Sequence, residues 1–424
     1  MSKLHFQSAL ALACALACGG AWAEDAGTAR TTEQKLEASL RALDALQRRV
    51  DQLEQRLSAT DSGTWGTRIE AVERSVSQVE ASAATATQVD TGLPIHGFAD
   101  VGGGVRNAAA AGEATRAFKV GVFDLYMTPQ ISPQIKSLVE LAFEYDEEGV
   151  LGVDAERMQL GYAFSDSLTL WAGRFHTPYG YWNTAFHHGA QLQTSIARPR
   201  FLDFEDGGGV LPAHSVGVWA TGATRTAAGK LSYDVYAVNG DRINSGVLDY
   251  QARGDSDHDL GLGFRAALAP AGTGWALGVH GLEQHVHGDN HDASESGRVR
   301  LLMLGGFATY DNDDWEAMAE AYHFANRDLA GGTGSHSSNA WYAQLGYNID
   351  DRFTPYARFE DASFNLADSY FTLQDSGRSY RRSVAGLRYN LSPKAALKME
   401  WLRTTESANA GAANSLSAQY AIRF

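Results

Sequence analysis

Three groups of residues in this chain have types and spacings suited to chemistry. In "HGLEQHVHGDNHD" (280–292), His280, His285, His287 and His291 are interleaved with Asp289 and Asp292. Two histidines one residue apart project to the same side of an extended segment. His285 and His287 could therefore share a metal ion, with His291 and Asp289 completing its shell. The plainer reading is a solvated loop, since surface loops are rich in such residues. The second group is "FHHG" (186–189), where His187 and His188 would change charge near neutral pH. The third is a set of charges on segments that otherwise alternate with apolar residues: Glu140, Arg157, Arg265, Glu320, Arg358, Glu360, Arg382, Arg388, Lys398 and Glu400. Covalent catalysis finds no support. No G-x-S-x-G motif occurs, and the only cysteines are Cys14 and Cys18. The chain is read as a non-enzyme with no cofactor.

The elements that position these charges repeat every two residues. "SLSAQYAIRF" (415–424) sets Leu416, Ala418, Tyr420, Ile422 and Phe424 on one face, with Ser417, Gln419, Ala421 and Arg423 on the other. "SVAGLRYNL" (383–391) opposes Ala385, Leu387 and Tyr389 to Gly386, Arg388 and Asn390. "AALKMEW" (395–401) opposes Leu397, Met399 and Trp401 to Lys398 and Glu400. Short polar turns (128–134, 164–167, 224–229, 269–274, 310–314, 348–351, 390–394) alternate with longer loops near 106–117, 145–153, 176–213, 239–257, 284–297, 326–338, 362–379 and 405–414. Such a pattern predicts an all-β fold, a transmembrane antiparallel β-barrel of about 16 strands with its charges facing a wet lumen. A soluble sandwich would not alternate its connections so strictly.

The amino-terminal quarter reads differently. Residues 1–23, with Lys3, an apolar run and Ala21-Trp22-Ala23, predict a secretory signal peptide. Leu36, Leu43, Val50 and Leu57 recur every seven residues, with Leu46 and Leu53 at companion positions. Residues 24–80 are therefore expected to form a short periplasmic α-helical coiled coil, 81–93 a linker and 94–424 the barrel. An even strand count puts both ends on the periplasmic side, with the short turns, and the last strand closes the ring. Tyr420, Ile422 and Phe424 then have the form of an outer-membrane assembly signal, which implies the outer membrane of a Gram-negative bacterium. A net charge of −15 argues against nucleic acid.

The longest connection, 176–213, is aromatic and carries both charge signs. A loop of that length needs a surface to pack on, and the inner wall of the barrel offers one. "AGRFHTPYG" (172–180), "LSYDVYAVNG" (231–240) and "YNLSPKAALKMEW" (389–401) resemble patterns of the phosphate-selective porin O/P family. The resemblance implies an outer-membrane homotrimer with an N-terminal coil, passing small solutes or ions by passive diffusion through a lumen narrowed by this loop. Tyr181, Trp182 and Phe186 are expected to pin the loop to the wall. His176, Tyr179, His187, His188, Arg198, Arg200, Glu205 and Asp206 would line the constriction, and the ten lumen charges the rest of the pore. His187 and His188 would narrow it or make its conductance pH-sensitive. Where the family commonly has lysine this chain has His176. From residue 95 on, about 26 Lys and Arg face about 38 Asp and Glu. That balance points to weak selectivity with no strong phosphate preference. Other readings are a structural or adhesin-type trimeric barrel, a metal-binding channel and an anion-specific channel. Expected partners are outer-membrane lipid, small solutes or ions, and peptidoglycan through the coil.

Overall fold

The computed structural model describes residues 94–107, 115–129, 131–145, 149–186, 189–205, 207–252, 259–331, 334–407 and 411–424. The signal segment, the coil and the linker lie outside the described residues. From Ile95 onward the chain is almost entirely β: β1 (Ile95–Arg106), β2 (Thr115–Met127), β3 (Ile135–Tyr145), β4 (Leu151–Ser165), β5 (Leu168–His176), β6 (His214–Thr226), β7 (Gly229–Asn239), β8 (Asp241–Asn244), β9 (Val247–Tyr250), β10 (Leu260–Ala269), β11 (Trp275–Asp289), β12 (Ser296–Asp311), β13 (Trp315–Asp328), β14 (Ser335–Tyr347), β15 (Phe353–Ser363), β16 (Tyr380–Ser392), β17 (Ala395–Glu406) and β18 (Ala412–Arg423). Two short helices, α1 (Trp182–Ala185) and α2 (Ser369–Thr372), lie in loops. Among the described residues no helix is long and apolar enough to cross a membrane.

Each strand pairs antiparallel with its neighbour, β7 joins β10, and β18 returns to β1 over Phe98↔Arg423 to Arg106↔Ser415. Leaving aside the β8–β9 hairpin, the ring is a closed barrel of sixteen strands. Closure satisfies the backbone groups that an open sheet edge would leave bare in hydrocarbon. Phe424 completes it: its N–H donates to Gly97 O at 3.1 Å and its carbonyl accepts the Gly97 N–H at 3.2 Å.

The two-residue alternation explains which face is wet. Outward positions such as Leu387, Met399, Trp401 and Tyr420 are exposed, as lipid-facing residues must be. Inward positions such as Arg388, Lys398 and Glu400 are almost fully buried. They are buried because an apolar core sits inside the ring. Three inserted segments build it: the 177–213 loop (Tyr179, Trp182, Phe201, Leu202, Leu211), the hairpin (Ile243, Leu248), and the segment around α2 (Tyr370, Phe371, Leu373). They pack on wall residues including Tyr236, Leu282, Met303, Phe324 and Tyr342.

Two expected loops are partly sheet. Residues 239–257 hold the β8–β9 hairpin, whose turn has Ser245 and Gly246 at φ of 50° and 86°, a conformation that matches strand twist. Residues 284–297 shrink to 290–295, because β11 keeps its ladder to β12 as far as Asp289↔Ser296.

Candidate functional site

The 177–213 loop turns into the barrel at the ends of β5 and β6. Asn183 ties its two ends together, its side-chain amide donating to Thr177 O (2.9 Å) and Ala213 O (3.1 Å). Inside, the loop backbone is held by lumen-facing charges. Glu320 on β13 accepts the N–H groups of Tyr181 (2.9 Å) and Trp182 (2.7 Å), and the hydroxyls of Tyr322 and Tyr342. Glu400 on β17 accepts the N–H groups of Ile196 (2.9 Å) and Ala197 (3.0 Å) and the Tyr356 hydroxyl. Glu360 on β15 accepts the Arg200 N–H (2.9 Å), the Tyr380 hydroxyl and the Arg358 Nε. The cations take the loop carbonyls. Arg358 donates to Ala197 O and Arg198 O, Arg388 to Gln193 O, and Lys398 to Ala190 O and Ser195 O. Buried charges are tolerated when they are hydrogen-bonded in this way.

Gly180 shows why the motif ends in glycine. Its φ is +60°, and a Cβ there would lie 2.2 Å from the Glu320 carboxylate and 2.3 Å from the Tyr322 hydroxyl. Its carbonyl accepts the Arg265 Nε at 2.7 Å.

The structure therefore puts the expected pore-lining charges on the lumen face, but Glu320, Arg358, Glu360, Arg388, Lys398 and Glu400 lie beneath the loop. Glu140 and Arg157 pair with each other on the opposite arc, with His176 Nε2 3.4 Å from Glu140. Arg382 remains partly exposed and donates to Thr404. Tyr181, Trp182 and Phe186 do pin the loop: Trp182 packs edge-on against Tyr342, Tyr181 meets Phe307, and both touch Phe186.

The expected constriction residues behave otherwise. Tyr179 and Arg198 do not point at a solute path, for both are buried. Arg198 bonds Leu202 O and Asn183 and lies over the Phe204 ring. Burial lowers its affinity for a proton, and burial likewise raises the Tyr179 phenol well above its ordinary value. The reason is that an inserted loop must satisfy its own backbone before any side chain is free. Arg200 pairs with Glu406 and stacks on Tyr380. Glu205 accepts the His214 N–H (2.9 Å) and meets its Nδ1 at 3.2 Å, while His214 Nε2 meets Glu156 at 2.5 Å. His187, His188 and Asp206 lie outside the described residues.

The histidine-rich stretch does not converge. His285 Nδ1 meets Asp259 (2.7 Å), His291 meets Asp375 (3.4 Å), and Asp289 accepts the Ser245 N–H. Among the described residues no group of three or more His, Cys, Asp or Glu could hold a metal ion. His285 and His287 do share a face of β11, away from buried Gln284 and Val286, but His285 is taken by Asp259, and His291 falls in the turn beside Asp375.

Sequence reasoning missed Asn183, Gly180, Thr194 (which donates to Glu316) and the four tyrosines on the carboxylates. Parity could have found the tyrosines, since Tyr322 shares a face with Glu320 and Tyr356 with Arg358. Nothing local flags Asn183.

A family model described as "Outer membrane protein beta-barrel domain" matches residues 260–424. A search of curated proteins finds no match. Similar solved structures include the anion-selective porin of Comamonas acidovorans (11% identity, TM-score 0.53, covering 78% of this chain and 99% of that one). Others are the trimer form of OmpT, an outer membrane protein of Vibrio cholerae (11%, 0.51, 78% and 99%), and the outer membrane channel DcaP of Acinetobacter baumannii (11%, 0.51, 78% and 97%). At this identity the likeness is one of fold. The chain is a sixteen-strand barrel of the outer membrane of a Gram-negative bacterium, with the fold that porins share.

Proposed function

We propose that this chain is a homotrimeric porin through which small hydrophilic solutes and ions diffuse passively. The observation that carries the reading is the one-sidedness of the loop. Among the described residues it covers the lumen face of β13–β17 and leaves the adjoining face of β18 and β1 uncovered. There Ser417 and Gln419, paired with Glu400 and Lys398, continue the lumen row into Gly104 and Gly102. All four are only partly buried, and three of them have side chains too small to obstruct a passage. The chain's net charge of −15 is a poor guide to ion preference, because charges of both signs, Glu320, Glu360 and Glu400 with Arg358, Arg388 and Lys398, are buried in hydrogen bonds beneath the loop. Exposed or half-exposed charges of both signs remain on this arc, among them Asp100, Lys119, Lys136 and Arg423. Weak selectivity follows from such a mixture. The likeness in fold to an anion-selective porin and to an outer membrane channel is compatible with this reading. Residues 24–80 would add a periplasmic coil to the trimer and could touch peptidoglycan, and Tyr420, Ile422 and Phe424 would serve as the assembly signal.

Single-channel recording of purified protein in planar bilayers tests the proposal. Steady ohmic conductance is expected, and Gly104→Trp and Ser417→Trp should each lower it. Folded barrels that pass no current would overturn the reading and favour a structural role.

A further inference from the structure

Trp171 on β5 and Trp219 on β6 stand opposite each other in their ladder. Their strand neighbours Leu170 and Val218 are exposed on the lipid face, so both indoles project into the lumen. The rings lie 6.2 Å apart and within 22° of parallel. Each is fixed from behind. The six-membered ring of Trp171 lies across Gly161 of β4, where a Cβ would fall 2.5 Å from its Cε3. Trp219 packs on Phe175 at 5.5 Å and donates its Nε1–H to Asp234 at 3.0 Å. Both indoles nevertheless stay partly exposed. The positions next along the same lumen rows are small: Gly173 and Gly217 on one side, Thr169 and Thr221 on the other. Two fixed, near-parallel indoles with nothing bulky beside them in their own strands form an aromatic platform.

The edge of the platform is polar and electrically balanced. Thr169 stands opposite Thr221, Thr221 opposite Asp234, and Asp234 opposite Arg265, across β5, β6, β7 and β10. The Arg265 guanidinium meets the Asp234 carboxylate at 3.3 Å. This row offers donors and acceptors together, with no net charge. Lys136, opposite Gly161 at the other end of the platform's row, is not free. An aromatic anion would find no uncompensated cation here. A purely apolar solute would strip water from the threonines without replacing its hydrogen bonds. A pyranose suits both features. Its axial C–H groups present a weakly positive flat face to the negative face of an indole, and its rim of hydroxyls both donates and accepts.

We propose that Trp171 and Trp219 form a stacking subsite for neutral sugar rings, with Thr169, Thr221 and the Asp234–Arg265 pair binding the sugar hydroxyls. Arg265 also donates to Gly180 O of the inserted loop at 2.7 Å, so a sugar held here sits beside the narrowed part of the lumen. The proposal deepens the porin reading by naming a solute class, and it rests on that reading for the sugar's access to the lumen.

The test uses the full-length mature protein with maltose, a neutral two-ring sugar, as the probe. Binding is measured by titration calorimetry in detergent, and block of open-channel current in planar bilayers. Saturable binding and saturable block with the same midpoint are expected. Trp171→Ala and Trp219→Ala should each weaken that midpoint about tenfold, and Trp171→Phe and Trp219→Phe should recover most of the loss. Thr169→Val with Thr221→Val leaves the indoles in place and should weaken it about fivefold. Sorbitol, which has hydroxyls but no ring, and benzoate, which has a flat face and a charge, should show no saturable effect. Wild-type protein that binds no maltose, or binding unchanged in both alanine variants, overturns the subsite. Saturable block by benzoate without maltose binding overturns it too and assigns the platform to aromatic anions. Where an alanine variant fails to refold, an unchanged midpoint in the threonine pair overturns the proposal instead. Protein that binds maltose but passes no current would strike the porin reading and leave the subsite standing; protein that conducts without binding maltose would do the reverse.

Discussion

Glu400 and Ile196 lie 204 positions apart, yet the Glu400 carboxylate accepts the Ile196 backbone N–H at 2.9 Å and its neighbour Ala197's at 3.0 Å. One wall side chain thus does for the inserted loop what a neighbouring strand does for a strand. Glu320 holds the loop at Tyr181 and Trp182 and Glu360 holds it at Arg200 in the same way, so carboxylates on β13, β15 and β17 anchor the loop at three points.

Replacing Glu400 with alanine should free the middle of the loop. Three donors (the N–H groups of Ile196 and Ala197 and the Tyr356 hydroxyl) would lose their acceptor, at about 1–3 kcal/mol for each group left unsatisfied. The expected outcome is increased open-channel noise and new protease sensitivity between residues 189 and 200. Glu400→Gln, which keeps an acceptor, should show a smaller effect. A quiet channel and a protease-resistant loop in Glu400→Ala would show that the contact is dispensable.

Much of this architecture was legible in the sequence, and the reason is geometric. A strand with one lipid face and one lumen face writes its orientation as strict alternation, so Arg388 and Glu400 could be assigned inward from Leu387 and Met399 alone. Inwardness did not reveal exposure. Arg388 and Glu400 serve the loop because Gln193 and Ile196 arrive there from about two hundred residues away, a contact that no local pattern encodes. For the same reason Tyr179 and Arg198 were legible as loop residues but not as buried ones.

The lipid face offers a direct check on the barrel. Leu387 is exposed on the outward row of β16, between Pro355 of β15 and Met399 of β17. Leu387→Lys should cost roughly 2–4 kcal/mol if the residue lies at the bilayer midplane, and less nearer the interface. The measurement is refolding into lipid vesicles under a urea titration. Arg381→Lys, at an already exposed pair with Asp361, should leave the midpoint unchanged.

Gly180 is predicted to be intolerant of any side chain. Its φ of +60° and the 2.2 Å approach of a Cβ to Glu320 act together. Gly180→Ala should displace the loop from Glu320 and change single-channel conductance, whereas Gly272→Ala, at a turn where φ is also positive (+72°) but the space around is open, should not. Equal behaviour of the two variants would sink this account.

The loop's far end should respond to acid. Burial acts to raise the Glu205 carboxyl, but attraction to His214 and the hydrogen bonds from its ring and its backbone N–H outweigh it. The carboxyl is held below the ordinary carboxylate range. A depressed folded value means that ionised Glu205 contributes its full stabilisation above the unfolded value, about 4.3, and loses it as pH falls through the lower folded value. Lowering the pH below about 4 should therefore release the segment next to β6 and alter conductance reversibly, with little change on the alkaline side of that window from this group. Glu205→Gln should remove the acid transition while keeping the His214 N–H satisfied through the amide oxygen. Recording conductance against pH in both proteins decides the matter, because an identical acid transition in Glu205→Gln would assign it to another carboxylate.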